Sequence, residues 1–118
     1  LKGGRQMGES HSKFETEMNR GFLQILVLVL LGESMYGYMM LKHFENIGYT
    51  VEESTLYPLL RRLEKYKLIE SKWEVSQDRP KKFYIISNEG KKVRDKLLII
   101  WRQQENIIRN LLKEENHG

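Results

Sequence analysis

Between Ser54 and Glu64 the sequence interleaves two kinds of residue: leucines at 56, 59, 60 and 63, and the polar or basic side chains Ser54, Thr55, Tyr57, Arg61 and Arg62. Leucines at that spacing line one side of a helix, which leaves hydroxyl and guanidinium donors on the others. Such donors suit acceptor-rich base edges and phosphate oxygens. Either Arg61 or Arg62 can make the paired contact to a guanine edge, which discriminates by about 1–3 kcal/mol, with the other arginine on phosphate. A second basic group, Arg79, Lys81 and Lys82, follows an alternating run and suits a grip on the backbone that ignores base sequence. Tyr38 offers a hydroxyl to a phosphate if it is exposed, or fills a core if it is not. Taken singly, each of these residues also fits the solvated side of an ordinary helix.

The elements that would hold this chemistry can be placed from pattern alone. A first helix is expected from about Phe14 or Thr16 to Leu31, stopped by Gly32. A short second helix opens around Ser34 and Tyr36-Gly37-Tyr38, carries Met39, Met40, Leu41 and Phe44 inward, and stops at Gly48. Thr50 and Glu53 have capping-box spacing for the third helix, with Ser54 as the alternative cap. Pro58 falls in the early turns, where it removes one backbone bond without ending the helix. Leu68-Ile69 leads into alternating Ile69, Ser71, Trp73 and Val75, a polar turn from Ser76 to Lys81, and the apolar run Phe83 to Ile86. This is a β-hairpin with a basic tip. The expected fold is mainly α with a small β-hairpin: a winged helix-turn-helix at residues 14–87 followed by a long helix at residues 88–113. Residues 1–13 are expected to be a disordered tail, with 1–6 read as a cloning remnant, and residues 114–118 a second tail.

Ser87 is placed to cap the last helix, with Glu89 in its first turn. Val93, Leu97, Ile100, Gln104, Ile107 and Leu111 make one row along it; Leu98, Trp101, Ile108 and Leu112 make another. A helix of about 25 residues is about 38 Å long, and this apolar face is broader than one neighbour covers. Two readings follow: the face folds back on the first helix, or it pairs with a second copy of the chain, which the coiled-coil-like spacing favours. Val93, Leu97, Ile100, Trp101, Gln104, Ile107, Ile108 and Leu111 are then the dimer interface. A two-fold pair would present two third helices to successive major grooves about 34 Å apart, so the matching DNA site is an inverted repeat.

Composition narrows the alternatives. The chain has 118 residues, a net charge of +4 and no cysteine, so one domain is expected, without disulfides or thiolate metal sites. From Ser54 to Lys96 twelve Lys/Arg face six Asp/Glu, a local surplus of +6, which makes the rest of the chain slightly acidic. The positive charge is thus focused on the expected reading region, where it would attract a polyanion. His11, His43 and His117 are too far apart in sequence to suggest a metal site. There is no Gly-rich phosphate loop and no nucleophile with an evident base, so an enzyme is not expected, nor is a cofactor. The apolar run from Phe22 to Leu31 is half the length of a membrane span, which needs about 20 residues. A cytoplasmic protein is expected. The rival from another class is a winged helix used as a protein-interaction or assembly subunit without sequence-specific DNA binding.

Gly37-Tyr38, Thr55-Leu56-Tyr57-Pro58 with the following Leu, Arg, Leu and Glu, and Trp73 with Lys81-Lys82-Phe83-Tyr84 together resemble the PadR family of transcriptional regulators, over about Met18 to Leu112. The length and single last helix are similar to the short branch that includes multidrug-responsive repressors. Tyr36 stands where many members have histidine, and the wing turn has Pro80 but no glycine. The resemblance implies a homodimeric repressor released by a small molecule. It places Trp101 at a drug-binding position near the dyad, where Gln24, Ile25, Leu28, Leu97 and Glu105 are its expected companions around a small aromatic effector. The alternative for Trp101 is an anchor in a filled interface.

Overall fold

The computed structural model describes residues 2–75 and 79–117, with side-chain surroundings defined for residues 12–75 and 79–115. The order is α1 (Lys2–Leu30), β1 (Met35–Tyr36), α2 (Gly37–Asn46), α3 (Glu53–Lys65), β2 (Ile69–Val75), β3 (Pro80–Ile86) and α4 (Asn88–His117). The fold is the expected winged helix-turn-helix with a long last helix. The β part is larger than a hairpin, however, because β1 pairs antiparallel with β3 to make a three-stranded sheet of order β1-β3-β2. Met35 stands opposite Tyr84 and Tyr36 opposite Phe83.

One core serves all elements. Val27, Leu28 and Leu31 of α1, Met40 and Phe44 of α2, Leu56, Leu60 and Leu63 of α3, and Ile69, Tyr84 and Ile86 of the sheet are buried together. Burying each large aliphatic side chain contributes about 1.5–3 kcal/mol, which is why the leucine stripe of α3 fixes the helix's rotation about its axis. The hairpin alternates as expected near its base, then leaves the core: Ile69 is buried, whereas Trp73 and Val75 are exposed. Pro80 and Lys81 belong to β3 rather than to the turn. Ser76, Gln77 and Asp78, the remainder of the expected turn apart from Arg79, lie outside the described residues.

Helix boundaries differ from expectation in three places. α1 starts at Lys2 rather than near Phe14, in place of a disordered tail. The segment before Phe14 contains no proline to remove a bond from the ladder, and Arg5, Gln6, Met7 and Glu9 are good helix formers that partly offset Gly3, Gly4 and Gly8. α4 continues through the expected tail to His117 for the same reason. The N-cap of α3 is Glu52, not Thr50 or Ser54: the amides of Thr55 and Leu56 both donate to the Glu52 carbonyl, and no side chain caps the helix. The extended backbone of Glu52 shifts the helix start by two residues from the capping-box reading.

The stops are better defined. At the end of α2 the Tyr49 amide donates to the Phe44 carbonyl while Gly48 adopts φ +80°, a glycine C-terminal cap. α3 ends the same way, with the Leu68 amide on the Leu63 carbonyl, but the left-handed position is occupied by Lys67 at φ 62°. Ser87 caps α4 as expected. Its hydroxyl accepts from the Gly90 amide at 3.0 Å and donates to the Lys67 carbonyl at 2.7 Å, while its amide donates to the Leu68 carbonyl. α4 is thereby bonded directly to the turn that follows α3. Gly90 is required at this joint, since a Cβ there would collide with the Leu68 carbonyl and sit 2.7 Å from Ile86 Cγ1.

Beyond that joint α1 and α4 run together out of the core. The molecule measures 62 × 39 × 25 Å with a radius of gyration of 18.0 Å, against about 13.5 Å for a compact chain of this length. Among the described residues no helix is long and apolar enough to cross a membrane, and no group of His, Asp and Glu is gathered as a metal site.

Candidate nucleic-acid interface

With Leu56, Leu59, Leu60 and Leu63 facing the core, the periodicity of α3 sets the direction of every other side chain. Ser54, Pro58, Arg61 and Lys65 recur at steps of four, three and four and form the row opposite the leucines. All are exposed. Thr55 and Arg62 lie on the flank beside α1, where they line a notch with Arg20, Leu23 and Ser54. Tyr57 and Glu64 lie on the opposite flank, toward the sheet. Lys65 and Arg20 are thus basic residues of this surface that the leucine-and-arginine motif does not single out. Lys65 is legible from its phase alone; Arg20, on another helix, is not.

Two residues expected on the DNA-facing surface are placed otherwise. Tyr57 is half-buried, its ring packed over the start of α2 so closely that a Cβ on Gly37 would stand 2.5 Å from the hydroxyl oxygen. Burial pushes its phenol above the ordinary value, with Glu53 and Tyr84 adding to the shift. It joins α3 to α2 rather than projecting with Arg61, because its helical phase turns it toward the sheet. Lys82 is tied down as well. Its ammonium donates to Glu64 Oε1 at 3.3 Å and lies 5.4 Å from the centre of the Tyr84 ring, so its charge is partly neutralised within the protein. The other oxygen of Glu64 accepts from the Ser71 hydroxyl. That bond, with the nearby Lys82, holds the Glu64 carboxyl below the ordinary glutamate range against the opposing effect of burial.

The remaining basic residues are open. Arg79, just before the wing strand, and Lys81 on it are exposed, and Lys81 stands across the ladder from Glu74. The Lys81 ammonium lies 4.7 Å from the centre of the Tyr36 ring, which stacks on Tyr38 at 6.4 Å with an interplanar angle of 15°. Lys42 sits over the far ring at 5.5 Å. Tyr38 is therefore not a core residue; it is 53% exposed. Ser54 is exposed and its hydroxyl donates to Glu52 at 3.4 Å.

The second expected site also takes shape in part. A groove of about 640 Å³ runs between α1 and α4, lined by Phe22, Gln24, Ile25, Leu97, Ile100 and Trp101 among others. Leu28 and Glu105, expected with them, are not in its lining. Leu28 is one turn further along α1, where that helix enters the core, and is 1% exposed. The Glu105 carboxylate accepts from Arg109 at 2.6 Å, one turn along α4. Phe22 and Tyr49, ring centres 5.8 Å apart, are groove residues that no expectation included. Of the expected interface row, Val93 and Leu97 pack partly on the core. Ile107, Ile108 and Leu111, with Leu112 beside them, are each more than half exposed, and Trp101 is 43% exposed. Gln104 lies between, also exposed.

Comparison with known proteins agrees with this architecture. Residues 25–96 match the model of the transcriptional regulator PadR-like family. An uncharacterized protein of Lysinibacillus sphaericus is 31% identical over 98 residues, covering 79% of this chain and 90% of its own. The crystal structure of a PadR family transcriptional regulator from Eggerthella lenta superposes with a TM-score of 0.84 at 34% identity, over 91% of this chain and 96% of that one. Bacillus subtilis PadR, solved in complex with operator DNA, is similar at 26% identity and a TM-score of 0.61, over 65% of this chain and 46% of that one.

Proposed function

Because the chain belongs to the PadR-like family of transcriptional regulators, we propose that it is a cytoplasmic, homodimeric repressor that reads an inverted-repeat operator in double-stranded DNA and is released by a small aromatic or drug-like effector. The observation that carries the DNA reading is the exposed row Ser54, Pro58, Arg61 and Lys65 on α3, flanked by Arg62 and Thr55 on one side and by Arg79, Lys81 and Tyr38 of the wing side on the other. An α-helix fits the major groove, and guanidinium donors on its outer face meet guanine edges there. Arg61, at the centre of that row, is assigned the base contact, and Arg62 the backbone. The operator complex of Bacillus subtilis PadR supports the same use of this fold.

The bare stripe from Trp101 to Leu112 supports pairing of two copies along α4. Ile107, Ile108, Leu111 and Leu112, each more than half exposed, are stabilised by burial against a second helix, at about 25 cal/mol per Å² removed from water. The groove between α1 and α4, with Trp101 on its wall, is the place for a planar effector. The test is selection of bound duplexes from a random pool. Enrichment of an inverted repeat with half-sites about one helical turn apart is expected; failure to enrich any motif, with no salt-dependent binding to duplex DNA, would favour the protein-assembly role instead.

A further inference from the structure

Arg20 of α1 and Arg62 of α3 both line a notch on the flank of α3, which borders the reading row at Ser54 and Pro58 and lies away from the wing. Its floor is Leu23 and Leu59, both buried, and its rim carries the Thr55 hydroxyl and Ser54, whose own hydroxyl donates to the Glu52 carboxylate at 3.4 Å. No carboxylate lines it. Glu52 lines the adjoining depression together with Arg20 and Thr55, yet among the described residues neither guanidinium is ion-paired with it or with any other acid. Two exposed guanidinium groups that line one notch without a counter-charge offer an anion charge-assisted hydrogen bonds. A phosphodiester fits: guanidinium groups and hydroxyls are its usual donors, and a backbone running alongside α3 would pass this flank.

We propose that Arg20 and Arg62, with the Thr55 hydroxyl, bind a phosphate of the DNA backbone on the side of α3 away from the wing. The duplex is then gripped on both sides of the reading helix, by the wing on one and by α1 on the other. Arg20 gives α1 a direct part in binding. The inference rests on the DNA-binding reading above and adds a contact to it.

The experiment compares the wild-type protein with Arg20→Gln and Arg62→Gln on the duplex enriched by selection, titrating salt, with thermal melting as the check that each variant is folded. One lost phosphate contact lowers the slope of log affinity against log salt by about 0.9, so two notches in a dimer lower it by about 1.8. Between about 50 and 200 mM salt the wild type should therefore lose about 12-fold more affinity than Arg20→Gln. Base preference should be unchanged in Arg20→Gln, since a backbone contact carries no sequence information. A methylphosphonate at one flanking position should weaken the wild type and leave Arg20→Gln unaffected. Folded variants with the wild-type slope would overturn the notch while leaving the reading helix intact. If inorganic phosphate raises the melting temperature of the wild type but not of Arg20→Gln while the DNA slope stays the same, the notch takes a free anion, and the proposal is likewise overturned. A wild type that binds no duplex at all would end both this inference and the reading on which it rests.

Discussion

Glu64 joins the reading helix to the wing, and removing its side chain should cost a measurable and dissectable amount. Its carboxylate is about one-third exposed and accepts from Ser71 and from Lys82. A hydrogen bond from a neutral hydroxyl to a charged acceptor contributes about 1.5 kcal/mol or more, whereas an ion pair this exposed contributes about 0.2–1 kcal/mol. Glu64→Ala should therefore destabilise by about 2 kcal/mol, Ser71→Ala by about 1.5 kcal/mol, and Lys82→Ala by about 0.5 kcal/mol. Unfolding entropy of about 2.1 cal/mol/K per residue over 118 residues gives about 0.25 kcal/mol/K, so Glu64→Ala should lower Tm by about 8 °C. The assay is a double-mutant cycle by thermal or urea unfolding at fixed protein concentration. The Ser71/Glu64 coupling should exceed the Lys82/Glu64 coupling; strict additivity of Ser71→Ala and Glu64→Ala would refute the reasoning. The pH dependence follows in sign. A carboxyl whose folded pKa lies below its ordinary 4.5 stabilises fully above that value, and the contribution fades as pH falls through the lowered pKa. Acidification below about pH 4.5 should thus narrow the gap between wild type and Glu64→Gln.

Other outcomes follow from single positions. Lys67→Gly should stabilise by about 0.5–1 kcal/mol, read as a raised Tm, because it relieves a left-handed backbone on a residue with a Cβ. Gly90→Ala should destabilise by about 3 kcal/mol in the same assay, since the new methyl meets a backbone carbonyl that cannot move without displacing the end of α3. Ile107→Glu, in the bare stripe of α4, should lower the mass seen by light scattering at micromolar concentration; an unchanged mass would remove this part of α4 from the interface. Planar cationic or phenolic compounds should quench tryptophan fluorescence, and Trp101→Phe should abolish the response while the exposed Trp73 still emits.

Local patterns in the sequence carried most of the fold. The leucine stripe of α3, the Gly48 stop and the Ser87 cap are each decided within a few residues, and the structure has them where pattern places them. What escaped depends on contacts between distant segments. β1 has only two residues, and its strand character comes from pairing with β3 rather than from Met35 and Tyr36 themselves. Lys82 reads as one more wing cation until the fold brings Glu64 to it. Tyr57 reads as an outward hydroxyl until α2 is packed against it. In the groove, Gln24, Ile25, Leu97 and Trp101 are brought together as expected, while Leu28 is lost to the core and Glu105 to Arg109. Arg20 could be found only once α1 and α3 were placed side by side.

The bonds at Ser87 leave no slack between the last helix and the reading helix, and that has a mechanical result. The residues linking β3 to α4 are pinned by the Lys67 and Leu68 carbonyls, so tilting the long arm pulls on the turn that follows α3. In the homodimer proposed above, a change of about 5° in the crossing angle of these arms, acting over the roughly 45 Å that the 30 residues of α4 extend at about 1.5 Å per residue, would swing each reading surface by about 3.9 Å. A ligand wedged beside Trp101 would then act as a shim, mistuning the distance between two surfaces that must fit the same turn of DNA.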